Sequence, residues 1–267
     1  MEHVDLGGLR VAYHSRGAGR PLVLLHGGVC DGRVFAPQLD DLSDRFRVVA
    51  WDAPGCGGSS DPPGSFRLSD FADVLAGFVA ALDLDRPHVL GHSWGSGLAI
   101  ELVDRHPGLV SSLVLAGGYA GWAGSLPADE VAERLRAALD LADRLPDGFD
   151  PTSIPGLFSD VMPPQRRAAL ATVMSDIRPT GTRVMARAFA EADLRDALGR
   201  VTVPTLLLHG ADDARSPFDV ADALHRAIAG SELVVMDGLG HEAFSESAST
   251  FDAHVRAFLD RVDAAGG

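Results

Sequence analysis

A chain of 267 residues, 46% of them hydrophobic, can bury the core of one large α/β domain with room for an insertion. Its formal net charge of −14 disfavours nucleic acid and anionic membranes as partners, and no apolar run approaches the roughly 18 residues that span a bilayer. Lysine is absent, which excludes a Schiff base, a covalent pyridoxal phosphate site and a P-loop lysine in one step.

The N-terminus, Met1 to Asp5, has no basic region leading into an apolar one, so no signal peptide is expected. Only Cys30 and Cys56 occur, neither at metal-binding spacing, and a reducing cytoplasm fits best. Residues 3–15 read as two short strands turning at Gly7-Gly8. Pro21 to Leu25 is a continuous apolar run, as expected of a strand buried on both faces of a parallel sheet, and it ends in His26-Gly27-Gly28. A helix suits 34–44, and a strand follows at Phe46–Trp51, leading into Asp52 to Ser60. Helical spacing then predicts a helix from Leu68 to Leu82, with Ser69 as its N-cap. After a strand near 89 and a helix to Arg105 comes another strand, 112–117. From Val203 the alternation resumes with a strand at 205–209, a helix near 219–229, a strand at 233–236 and a final helix over 250–262. Strand and helix alternate everywhere except 122–197, which reads as all helical: 128–145, 164–175 and 183–198. This order predicts a doubly wound, mostly parallel sheet from 1–121 and 198–267, with 122–197 inserted over its carboxyl edge as a helical cap.

The chemistry-bearing stretch is Val89 to Ile100. A short strand turns abruptly through Gly91-His92-Ser93-Trp94-Gly95 and continues as a helix of small residues. On so tight a turn Ser93 needs φ > 0, and a Cβ at 91 or 95 would meet neighbouring backbone. The strain is placed where the Ser93 hydroxyl and the Trp94 N–H serve one point. A serine hydroxyl near neutral pH needs a general base, and a histidine base needs an acid to hold its tautomer. Two later loops offer both: 209–217 carries Asp212 and Asp213, and 237–241 ends in His241. The loop 117–121 carries no carboxylate.

The motifs H-G-G at 26–28, D-x-P-G-x-G-x-S at 52–59, G-H-S-W-G at 91–95, G-x-x-D-x-x-x-P at 210–217 and G-H at 240–241 stand in one order. With them the chain resembles the α/β-hydrolase-fold serine hydrolases over nearly its whole length outside the cap. The resemblance implies Ser93 as nucleophile, His241 as base and Asp213 as orienting acid, with Asp212 solvated. It implies an oxyanion hole from the N–H groups of Gly28 and Trp94, with Val29 the nearest alternative to Gly28. His26 is expected to brace its loop. The expected reaction is cofactor-independent cleavage of a carboxylic ester or lactone of small to medium size and largely apolar character, through an acyl-enzyme. Carbon–carbon hydrolases of ring-cleavage products, thioesterases, acyltransferases and a ligand receptor with little turnover remain alternatives. The Ser93-Trp94 pair resembles proline iminopeptidases, whereas Gly91-His92 departs from their usual Gly-Gly.

Blander readings cover much of the rest. His3, His14, His88, His106, His225 and His254 read as surface residues, and no histidine spacing suits zinc, so no metal is expected. Cys30 and Cys56 read as small hydrophobes near the pocket. In the cap most apolar residues should be core; Trp122, Phe158, Met162, Met185 and Phe189, with Val29, are the candidates to touch substrate. Arg178, Arg183 and Arg187 should be solvated, unless one turns inward to bind a carboxylate.

Overall fold

The apolar runs pair as the strands β1 (Glu2–Leu6), β2 (Leu9–Arg16), β3 (Arg20–Leu25), β4 (Phe46–Trp51), β5 (His88–His92), β6 (Ser112–Ala116), β7 (Thr205–Gly210) and β8 (Glu232–Met236). The structure, a computed structural model, describes residues 1–145, 149–151 and 154–266. The strands form one sheet in the order β1-β2-β4-β3-β5-β6-β7-β8. β1–β2 and β2–β4 pair antiparallel, and every other pair is parallel. The chain thus winds outward from β3 in one direction to β4 and in the other to β5. Between β3 and β5 lies the switch point, where the loops after two neighbouring strands part and leave a crevice.

Period-two alternation divides the core between the two faces of the sheet. Val23, Leu25, Val49, Trp51, Val89, Leu113, Leu115 and Leu207 point to one face, where α2 (Leu68–Ala81) and α3 (Trp94–Arg105) pack. Leu22, Leu24, Val48, Ala50, Leu90, Val114, Leu206 and Leu208 point to the other, covered by α1 (Ala36–Asp41) and α10 (Ala248–Gly266). Each such side chain removed from water contributes about 1.5–3 kcal/mol before entropy is charged against it. Among the described residues, β6 and β7 are joined through the helices α4 (Ala128–Arg144), α5 (Pro164–Met174), α6 (Pro179–Glu191) and α7 (Arg195–Leu198). The remaining helices are α8 (Phe218–Ala227) and the short α9 (Ala243–Glu246). Among the described residues no helix is long and apolar enough to cross a membrane.

Several expectations are corrected. The segment near 34–44 is a tight turn over Gly32–Phe35 followed by α1, which stops at Asp41. The helix α2 starts at Leu68 as expected, but its N-cap is Arg67 and not Ser69, and Asp70 accepts the backbone N–H of Arg67 at 2.7 Å. The helix predicted at 183–198 starts at Pro179 and breaks at Ala192, whose ψ of 125° leaves the helical region. The turn α9 escaped prediction because its four residues are too few to show a period. His88 is no surface residue: it is buried, hydrogen-bonded to Ser112 at 2.8 Å and to Asp263 at 3.1 Å.

At the end of β5 the expected strain is present, with Ser93 at φ 51°. A Cβ on Gly91 would strike the carbonyl of Gly95, and one on Gly95 would strike the carbonyl of Leu25. Gly95→Ala should therefore lower stability by about 3 kcal/mol, or leave the protein insoluble. Gly64→Ala, where a Cβ meets nothing within 4 Å, should melt like the parent in thermal unfolding.

Candidate active site

Five loops at the carboxyl edge of the sheet, those after β3, β5, β6, β7 and β8, close around a cavity of about 460 Å³, which Gly28, Ser93, Trp94 and His241 all line. Ser93 is held by its N–H donating to Ala116 O at 2.9 Å and by Ser96 N–H donating to its carbonyl at 3.0 Å. Trp94 is the first residue of α3, so its N–H is one of the unpaired donors at a helix start, where the dipole favours negative charge. The loop after β3 runs against this turn: a Cβ on Gly27 would lie 3.7 Å from Ser93 Cβ, and one on Gly28 4.0 Å from Trp94 Cβ.

His26 braces that loop. Its Nδ1 donates to Gly27 O at 2.7 Å, and its Nε2 accepts Ala53 N–H at 3.0 Å. Burial lowers its pKa, so it stays neutral and keeps this tautomer. Asp52 ties the neighbouring loop, accepting Gly32 N–H at 2.9 Å and Gly58 N–H at 2.8 Å.

Asp213 and His241 meet although 28 positions separate them: His241 Nδ1 donates to Asp213 Oδ2 at 2.8 Å, with both side chains buried. The other carboxylate oxygen accepts the N–H groups of Arg215 and Ser216, each at 2.8 Å. Burial by itself would raise the Asp213 pKa. The charge and hydrogen bond of His241, with the two backbone donors, outweigh it and hold the carboxyl below its ordinary value. Asp212 is exposed, as expected. Gly117, at φ 51°, leaves room for the imidazole; a Cβ there would lie 3.1 Å from His241 Cε1.

His92 has a definite task in this arrangement. It is buried, 4.8 Å from the His241 ring centroid to centroid, and its Nε2 donates to the His241 carbonyl at 3.0 Å. Burial, followed by the neighbouring His241, pushes its pKa down to about 3, so the ring is neutral and remains a donor through Nε2. Cys30 lines the cavity, but burial pushes its thiol well above the ordinary value; Cys56 is likewise buried and raised. Neither is an available thiolate. Among the described residues no group of three or more His, Cys, Asp or Glu side chains could hold a metal ion.

Of the six candidate substrate contacts, Val29, Trp122, Met185 and Phe189 line the cavity. α6 rests on the serine turn: Trp94 Nε1 donates to Met185 O at 3.3 Å, and Phe189 packs against Trp94, Tyr119 and Trp122. Phe158 and Met162 are not in the lining. Both pack instead into the core on the α1/α10 face of the sheet, Met162 fully buried and Phe158 partly, beneath the Arg167 guanidinium at 5.6 Å. Nor does Arg178 or Arg183 turn inward: Arg178 binds Asp61 and the carbonyls of Gly57 and Ser59, and Arg183 binds Asp143. The cavity instead holds charged groups that sequence reading missed, Arg134, Arg215 and Glu242. Their one legible signal was chain position, since Arg215 lies two residues after Asp213 and Glu242 directly follows His241.

Residues 20–157, more than half of the chain, match a family model described as alpha/beta hydrolase fold. The chain belongs to the α/β-hydrolase family. Residues 181–264 of this hydrolase also match a model described as TAP-like protein. It is 31% identical over 248 residues to the AB hydrolase superfamily protein YisY of Bacillus subtilis, covering 91% of this chain and 92% of that one. A proline iminopeptidase of Lactobacillus helveticus is 30% identical over 275 residues, covering 91% and 90%. Among solved structures, a thermophilic esterase from Thermogutta terrifontis superposes with a TM-score of 0.87 at 26% identity, covering 98% and 99%.

Glu242 sets a pH dependence for the fold. Burial, with Glu246 and Asp213 nearby, pushes its pKa up from 4.5 to about 8. Across that window the folded hydrolase retains a proton that the unfolded chain releases, so stability falls as pH rises, by up to about 1.4 kcal/mol per pH unit. Glu242→Gln should remove this contribution and gain stability over the parent from pH 5 to pH 8, as measured by denaturant unfolding at each pH.

Proposed function

We propose that this hydrolase cleaves carboxylic esters or lactones through a serine acyl-enzyme, without a cofactor. The observation that carries the reading is the Asp213–His241 hydrogen bond facing the same cavity as Ser93 on its strained turn. In this mechanism Ser93 Oγ attacks the substrate carbonyl carbon while His241 takes the hydroxyl proton. Asp213, ionised and buried, keeps His241 in the tautomer whose free nitrogen faces the serine, and stabilises the imidazolium that forms. The tetrahedral oxyanion accepts hydrogen bonds from the N–H groups of Gly28 and Trp94. His241 then returns the proton to the departing alkoxide, and water, activated by the same base, releases the acid and restores Ser93.

We read the segment 122–197 as the cap that closes the cavity over this centre, with Trp122, Met185 and Phe189 as its apolar wall. The largely apolar remainder, including Val29, suits a small to medium acyl chain. A small-molecule ester or lactone is the partner this implies. The formal net charge of −14 favours neither nucleic acid nor an anionic membrane as substrate.

A fluorophosphonate probe should label Ser93, located by mass spectrometry, and p-nitrophenyl esters should be turned over. Ser93→Ala should abolish labelling and lower kcat by at least about 10³-fold. Labelling without ester turnover would shift the reading to an amide or carbon–carbon bond, and no labelling would overturn it. His92→Phe keeps the ring volume but loses the hydrogen bond to the His241 carbonyl, worth about 1 kcal/mol. It should lower kcat roughly tenfold with little change in KM, as steady-state kinetics would show.

A further inference from the structure

The cavity that holds Ser93 has an apolar wall, yet among the described residues a cation on its surface is left without a partner. Arg215 follows Asp213 by two residues and lines the cavity. Its backbone is fully used: its N–H donates to Asp213, and its carbonyl accepts from Tyr119 Oη and from Arg134 Nη2, the latter at 2.9 Å. Among the described residues its guanidinium has neither a hydrogen bond nor an ion pair, whereas most arginines of this chain are paired. Arg134, another cation of the lining, is bound to Glu130 at 2.6 Å and to Tyr119 Oη at 3.1 Å. Glu133 and Arg144 also line the cavity but stand exposed at its rim.

A guanidinium does not lose its proton in a protein, so burying one unpaired carries a desolvation penalty that a second ion would offset. Among the described residues no carboxylate forms an ion pair with it, and Asp213, whose charge it feels, is already bound by His241 and two backbone N–H groups. The other candidate is Glu242, which also lines the cavity and, among the described residues, makes no side-chain hydrogen bond or ion pair. Burial keeps it protonated up to about pH 8, so at neutral pH it leaves Arg215 unneutralised. A protonated carboxyl beside a cation is a hydrogen donor beside a positive charge. Both features suit an oxyanion brought in from outside, and both would repel or waste an amine.

We infer that Arg215, assisted by Glu242, forms an anion-binding subsite in the cavity, and that the preferred substrates are esters or lactones bearing a carboxylate. The inference rests on the proposed hydrolase reading for its substrate class, but the subsite itself does not depend on turnover. Arg215 acts here as a specificity residue: it holds the remote end of the substrate and leaves the reacting carbonyl to Ser93. The fork of the guanidinium fits a carboxylate through two parallel N–H···O bonds, which a neutral ester of the same length cannot make.

The experiment compares matched pairs that differ in one charge, p-nitrophenyl hydrogen glutarate against p-nitrophenyl valerate, and 4-acetoxybenzoate against its methyl ester. These place the carboxylate on the acyl side and on the alcohol side of the scissile bond. For at least one pair the parent should favour the anionic ester in kcat/KM. Arg215→Gln should lower that anionic-to-neutral ratio by roughly 10- to 100-fold, chiefly through KM, and Arg215→Lys should restore part of it. Calorimetric titration of glutarate into Ser93→Ala, with the Ser93→Ala/Arg215→Gln double variant as comparison, reads the subsite without chemistry. Glutarate binding that the double variant loses supports the subsite even if no ester is cleaved. A parent that favours neither anionic ester and binds no glutarate overturns it, while neutral-ester turnover in the same assays would leave the hydrolase reading standing. A ratio or a glutarate affinity unchanged by Arg215→Gln overturns the assignment to Arg215.

Discussion

The structure depends on a close approach of backbone to backbone at the end of β5. Gly91 and Gly95 have no Cβ, and this lets the chain reverse within one turn while β3 passes directly alongside. Ser93 is thereby forced to φ 51°, a conformation that a non-glycine side chain adopts only when its surroundings hold it there. Those surroundings are the parallel neighbours of β5, since Ser93 N–H is bound by the end of β6 and Gly95 is pressed against the end of β3. The site is therefore built where the strand order reverses. The loops that follow β3, β5, β6, β7 and β8 open toward the same edge.

Burial sorts the ionisable groups at that edge by the partners each one has. His26 and His92 lose their charge to burial and serve as neutral donors and acceptors that fix loops. Asp213 is as hidden as they are, but two backbone N–H groups and His241 keep it ionised. Glu242 has no such donors and takes up a proton instead. Burial thus yields a carboxylate and a carboxylic acid on adjacent loops: Asp213 meets His241 and backbone hydrogens, whereas Glu242 faces the like charges of Glu246 and Asp213.

The helices between β6 and β7 are part of this arrangement and do more than cover it. Arg134 of α4 and Tyr119 both reach the carbonyl of Arg215, so the loop bearing Asp213 is tied to the first of those helices. α6 meets the serine turn through Trp94 and Met185, and the ring of Phe189 lies over Gly97. A shift of either helix would be felt at the loop of Asp213 or at the turn of Ser93. Substrate shape and the geometry of the proposed triad are coupled through these few contacts.

Most strands, the G-x-S-x-G turn and the order of Ser93, Asp213 and His241 were legible in the sequence. The signals there are local: unbroken apolar runs for strands buried on both faces, glycines where a Cβ cannot fit, and loops that directly follow strands. The helix limits at 34–44 and 183–198 were less legible, because dihedral breaks such as that at Ala192 leave no mark in hydrophobic spacing. Phe158 and Met162 could not be told from cavity residues, since an apolar side chain faces whichever surface the packed helices leave beside it. The same holds for His88, buried by a contact with Asp263 of the last helix, and for His92, whose partner is a backbone carbonyl 149 residues away. The sequence by itself determined the fold, the strained turn and the residue types available for chemistry. Only the tertiary structure decided which charges are paired and which are not, because pairing depends on distances between segments remote in the chain. Arg215 and Glu242 are ordinary residues in sequence and stand out only once the cavity they line has formed.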